Sequence, residues 1–111
     1  MGIQGDALER DFHRAMLSLY ELWRDRCAYR ATRFLQSVRR NGGLLAAKFL
    51  LNKSGVSQGF MALKACGSLR ATMEAMIVEE PKWHPLFSPE ELAVARRRLA
   101  QHGYQPRANV D

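Results

Sequence analysis

The sequence predicts an all-α fold: a compact single-domain bundle of five or six helices. Three observations carry that expectation. Apolar residues return at three- and four-residue steps through most of the chain. Asn, Gly and Pro interrupt those steps at spacings that cut the chain into helical lengths. No stretch shows the alternation of a half-buried strand. With 111 residues, 47% apolar and 25% charged, the chain can bury one core and lacks the composition of a disordered one. The expected domain covers residues 1–104, followed by a flexible tail at 105–111.

Asp6, with Glu9 three residues on, reads as an N-cap opening the first helix. Leu8, Phe12, Ala15, Met16, Leu19, Leu22 and Trp23 then form one apolar stripe, so this helix runs from about residue 7 to about 26. Ala31, Phe34, Leu35 and Val38 keep helical spacing up to Asn41-Gly42-Gly43, a stop signal. Residues 26–30 fit either a continuation of the first helix or a kink before the second. Residues 44–51 form a short, nearly all-apolar helix, too rich to be exposed on more than one side, with a loop at 52–55. Ser57 is placed to cap a helix through Cys66 that turns Phe60, Met61 and Leu63 inward. Gly67 supplies a left-handed stop, and Ser68 is placed to cap the next helix at once. That helix buries Leu69, Met73, Met76 and Ile77 and ends before Pro81, which disfavours helix at Glu80. Ser88-Pro89-Glu90-Glu91 then offers an N-cap, a proline at the first helical position and a glutamate at the third, flanked by Phe87 and Leu92 as a hydrophobic staple. Leu92, Ala95 and Leu99 face the core, and Gly103 ends the helix with Tyr104 folding back on Leu99. The hairpin at 54–80 is expected to be central, with the first helix wrapped along it.

The net charge is +6, and its distribution says more than its size. Residues 26–73 carry nine Lys or Arg and no acid, whereas 74–91 carry five Glu against one Lys. Cys27 and Cys66 have no CxxC spacing and no histidine beside them. They are expected as reduced, buried thiols serving as small apolar residues. No apolar run approaches the roughly 20 residues of a membrane span. The N-terminal stretch lacks an apolar signal-peptide core, which points to a cytoplasmic protein.

The stretches DFHRAML, YRATRFLQSV, NGGLLAAKFLL, GVSQGFMALKACGSL, MEAMIVEEPKWHPLFSPEELAVARRRL and HGY, in this order over about residues 11–104, carry a resemblance. Together they resemble a largely uncharacterised family of small stand-alone bacterial proteins often met near mobile or horizontally moved DNA. The matching positions are core and capping residues, so the resemblance implies a shared helical fold more than a shared chemistry. The chain departs from the family's usual Arg-Leu-Asp after the central glycine, having Ser68-Leu69-Arg70 instead.

If residues 26–40 are helical, Arg26, Arg30, Arg33, Ser37 and Arg40 fall on one face. Arg39, Lys48, Lys53 and Lys64 add charge nearby. Thirteen of the seventeen basic residues are arginine, the side chain suited to bidentate phosphate or carboxylate recognition. The functional reading is a surface for a nucleic-acid backbone or an acidic partner. The plainer reading is a solvated face, partly paired to Glu21, Asp25, Glu74 or Glu79. A helix-turn-helix at 44–66 fails on residue type: Leu51 stands where a small residue is needed, and Phe60, Met61 and Leu63 are too apolar to read a groove. Arg96, Arg97 and Arg98 diverge by about 100° each and are expected in solvent. Trp83 and Leu86 are expected to pack the crossing between the last two helices; an exposed Trp83 would instead be a partner-binding knob. His13, His84 and His102 lack metal-ligand spacing, and no acid/base pair converges as catalysis requires. The expectation is therefore a non-catalytic binding protein with no cofactor and no metal. Its leading form contacts nucleic-acid backbone through Arg26, Arg30, Arg33, Arg40, Lys48 and Lys53. The alternative docks an acidic protein, for example as a phage or mobile-element inhibitor of a host defence nuclease (anti-CRISPR-like). Monomer and homodimer are both compatible with the long first helix.

Overall fold

The first helix, α1 (Ile3–Cys27), follows the apolar stripe and reaches further than its sequence signals at both ends. The structure, a computed structural model, describes residues 3–106, with side chains from residue 7 on. Helix α1 is under way at Ile3, so Asp6 is not its N-cap. After it come α2 (Thr32–Asn41), α3 (Gly43–Leu51), α4 (Gln58–Ala65), α5 (Met73–Glu79) and α6 (Pro89–Gln101). Two 3-10 turns, Leu69–Ala71 and Pro81–Leu86, link α4 to α5 and α5 to α6. There is no strand among the described residues, and the fold is the all-α bundle the periodicity predicts. Part of the expected tail, from residue 107, lies outside the described residues.

Helix α1, rather than the 54–80 hairpin, is the element most others pack on: it touches α2, α3, α4 and both 3-10 turns. Phe12 meets Trp83 and Phe87 edge-on, with ring centroids 5.2 and 5.5 Å apart. Trp23 packs on Phe34 at 4.7 Å and donates its indole N–H to the Ala71 carbonyl at 2.7 Å. Leu22 and Met61, expected inward, are exposed. For Leu22 the reason is geometric, since Leu19 and Trp23 already occupy the buried side of that turn.

Most helix ends obey their local chemistry. Ser57 Oγ accepts from the Phe60 N–H, and Ser88 forms a full capping box with Glu91. Gly67 and Gly103 take left-handed φ values of 74° and 90°. The N–H groups of Ser68 and Tyr104 then return to the Leu63 and Leu99 carbonyls, closing α4 and α6. The cap of α5 is Thr72, not Ser68, because the 3-10 turn intervenes; Thr72 Oγ1 accepts from the Ala75 N–H. His84 Nε2 donates toward the Ile77 and Val78 carbonyls at 3.0 and 3.3 Å, satisfying groups at the end of α5.

Cys27 and Cys66 are joined by a disulfide, correcting the expectation of two reduced thiols. Folding brings the end of α1 beside the end of α4, leaving the Cα atoms 6.0 Å apart, within the range a disulfide spans.

Gly43 sits where α3 crosses α1. A Cβ there would lie 2.7 Å from the His13 Cα, and the Gly43 N–H donates to His13 Nδ1 at 2.9 Å. The obstructing atom is helix backbone, so Gly43→Ala is expected to push the helices apart and cost about 1–3 kcal/mol, read as a lower urea midpoint with unchanged slope.

Candidate functional site

The predicted arginine face is not one helix face. Helix α1 ends at Cys27, Ala28 turns the chain with a left-handed φ of 52°, and α2 begins at Thr32. Arg26 therefore stands on the last turn of α1, Arg30 in the link, Arg33 on the first turn of α2 and Arg40 on its last. On α2, Arg33, Ser37 and Arg40 keep their common stripe.

The break does not scatter the charge into ion pairs. Arg26, Arg30, Arg33, Arg39 and Arg40 are all exposed, and none forms a salt bridge with a described carboxylate. Several acids have partners elsewhere: Asp11 with Arg14, Asp25 with Arg24, Glu80 with Lys82. Lys48 leaves the candidate set. Its Nζ lies 2.7 Å from Glu91, whose other oxygen accepts from Asn52 at 3.0 Å. Burial alone would raise the Glu91 pKa, but the bonds from Lys48, the Ser88 N–H and Asn52 together hold it below the usual carboxylate value. Lys64 is likewise occupied, donating to His102 Nδ1 at 3.0 Å. Lys53 stays exposed with Nζ 5.0 Å from the Phe49 ring centroid.

A cleft of about 510 Å³ lies between α2, α3, the 53–57 segment and the start of α4. Its inner wall is aromatic, with Trp23, Tyr29, Phe34 and Phe60; Phe49 stands at the outer edge, 63% exposed. Gly59 packs against this wall, its Cβ position lying 3.4 and 3.6 Å from the Trp23 and Tyr29 rings, ordinary contact distances. Arg33 and Lys53 are the two cations of the lining, and both are exposed. The lining also includes a buried acid, Glu74, which is 3% exposed.

Glu74 belongs to an ion pair that the sequence reading missed. Arg98, expected in solvent, is 6% exposed and donates through Nη1 to Glu74 Oε2 at 3.0 Å. Its Nη2 donates to the Lys53 carbonyl at 2.8 Å, tying α6 to the loop that borders the cleft. Burial pushes the Glu74 carboxyl above the usual carboxylate range, opposed by its own backbone N–H and by Arg98.

Trp83 is 3% exposed and packed against Phe12, so it is no partner-binding knob. The three histidines serve separate contacts, and among the described residues no His, Cys, Asp and Glu side chains gather as a metal site. No helix of the described residues is long and apolar enough to cross a membrane. Comparison with family models, with curated proteins and with solved structures returns no match.

Proposed function

We propose that the protein binds nucleic acid without catalysis, attracting backbone phosphates to Arg26, Arg30, Arg33 and Lys53, with Arg40 further along α2. One observation carries this reading: five arginines between residues 26 and 40 stay exposed and none pairs with a described carboxylate, whereas Arg14, Arg24, Lys48, Lys82 and Arg98 do. Arginines without carboxylate partners stay available to a polyanion, which binds them while releasing its counterions. A reducing thiol pool would open the Cys27–Cys66 bond, so thiol labelling in cell extracts reads which form persists.

Fluorescence anisotropy of labelled DNA and RNA against salt tests the reading. Micromolar binding at low salt with a steep salt slope is expected, weakened at least roughly tenfold when Arg26, Arg30 and Arg33 are changed to Glu. Absence of binding at low salt would sink it. The acidic-protein alternative, a defence-nuclease inhibitor included, draws on Leu45 and Phe49, exposed one turn apart on α3, with Lys53 Nζ 5.0 Å from the Phe49 ring. Generic DNA should compete with a nucleic-acid ligand and leave a specific protein complex intact.

A further inference from the structure

We infer that the ligand is single-stranded, with one unstacked base entering the cleft between α2, α3 and the 53–57 segment while its flanking phosphates lie against Arg33 and Lys53. This rests on the nucleic-acid reading above and names the form of nucleic acid that the same site takes.

The charge profile of the cleft narrows the occupant. Its rim is cationic at Arg33 and Lys53, and its lining is aromatic, with Glu74 buried there and its carboxylate held by Arg98. A small aromatic acid could also place its ring inside and its carboxylate at that rim, so the choice between the two rests on the cations beyond the cleft. A nucleobase is neutral, flat and apolar on both faces, and its charges sit outside on the phosphates. That division matches a cleft with aromatic walls and a cationic edge. The volume of about 510 Å³ lies within the roughly 300–1,000 Å³ of ordinary small-ligand sites. Polar groups for base edges are present at Ser37, Ser54 and Ser57. The Ser57 hydroxyl oxygen accepts from the Phe60 N–H, which leaves its own proton free to donate.

Two further features favour a polymer and a single strand. Arg40 follows Arg33 on the same stripe of α2, about 10 Å away at 1.5 Å per residue, and Arg26 and Arg30 precede it; a lone small ligand would leave all three unused. In a duplex the bases are stacked and paired, and extracting one costs a few kcal/mol, whereas a single strand offers its bases already free. Phe49, exposed at the edge of the cleft, then supplies an outer stacking surface of the kind single-strand binders use.

The test compares anisotropy titrations of a labelled mixed-sequence strand of roughly twelve nucleotides, within the site sizes of single-strand binders, with its own duplex at equal salt. The single strand is expected to bind at least roughly tenfold tighter than the duplex. Phe49→Ala removes an exposed ring and leaves the core intact, which a thermal melt checks. It is expected to weaken single-strand binding roughly 5- to 150-fold, the loss of one stacked base, and to leave duplex binding unchanged. Equal affinity for strand and duplex, or single-strand binding indifferent to Phe49→Ala, overturns the base-in-cleft inference and leaves the phosphate reading standing. Failure of both ligands to bind at low salt overturns the phosphate reading itself.

Discussion

Glu74→Ala is expected to cost about 3–5 kcal/mol of folding stability, because it strands a buried guanidinium that cannot shed its charge. Arg98 is 6% exposed and would keep, among the described residues, only the Lys53 carbonyl as an acceptor. The reverse change should be milder. In Arg98→Met the orphaned Glu74 can take up a proton, since burial already holds its carboxyl above the usual range. The folded chain then keeps a proton that the unfolded chain releases above its ordinary value of 4.5. Stability of this variant is therefore fullest below that value and falls as pH rises toward the folded pKa, by up to about 1.4 kcal/mol per pH unit. Replacing both residues by apolar ones of similar volume is expected to recover most of the loss, as buried pairs often allow. Urea unfolding from mildly acidic to neutral pH reads all three. A loss below about 1 kcal/mol for Glu74→Ala would mean that water reaches the guanidinium and the pair behaves as a surface one. Because Arg98 also holds the Lys53 carbonyl, Glu74→Ala should loosen the cleft and weaken single-strand binding as well.

That pair also marks the limit of what the sequence discloses. Elements whose signals are local were legible: the Ser57 and Ser88 caps, the Gly67 and Gly103 stops, and the end of α5 before Pro81. The break between α1 and α2 was not. It turns on Ala28 in a left-handed conformation that alanine seldom adopts, with no Gly, Pro or Asn among its neighbours to announce it. Packing decides it: Trp23 at the end of α1 gathers Tyr29 and Phe34 around its ring, and the chain bends to let them reach. The cleft was illegible for a related reason. Its walls come from α1, α2, α3, the 53–57 loop, α4 and α5, and no local spacing joins Phe49 to Glu74. The acid-free run grouped Lys48 with the arginines, but it could not show that Glu91 claims it. Nor could it show that Arg98, in a row of three arginines, turns inward. A row of like charges reads as solvated until a buried acid is found opposite one of them.

Reduction of the Cys27–Cys66 bond is expected to lower stability by about 4 kcal/mol on chain-entropy grounds, given a sequence separation of 39. Measured disulfides more often deliver about 2–4 kcal/mol, which for a domain of this size shifts the melting temperature by roughly 10–20 °C. Cys66 is exposed, so a reductant can attack without prior unfolding. Melts of oxidised protein, reduced protein and a variant with both cysteines changed to serine measure the effect, and the last two should coincide. A shift of only a few degrees would mean that contacts between α1 and α4 already hold the loop closed. The site of the loss can be located too. Cys27 stands between Arg26 and Ala28, where the chain leaves α1 through a backbone conformation that contributes nothing to its own stability. Once the covalent tie is gone, that link should open before the α5–α6 pair does. Hydrogen exchange should then quicken first at residues 24–31, with α6 following only on global unfolding. Exchange that accelerates equally in every helix would instead assign the bond's whole effect to the unfolded chain.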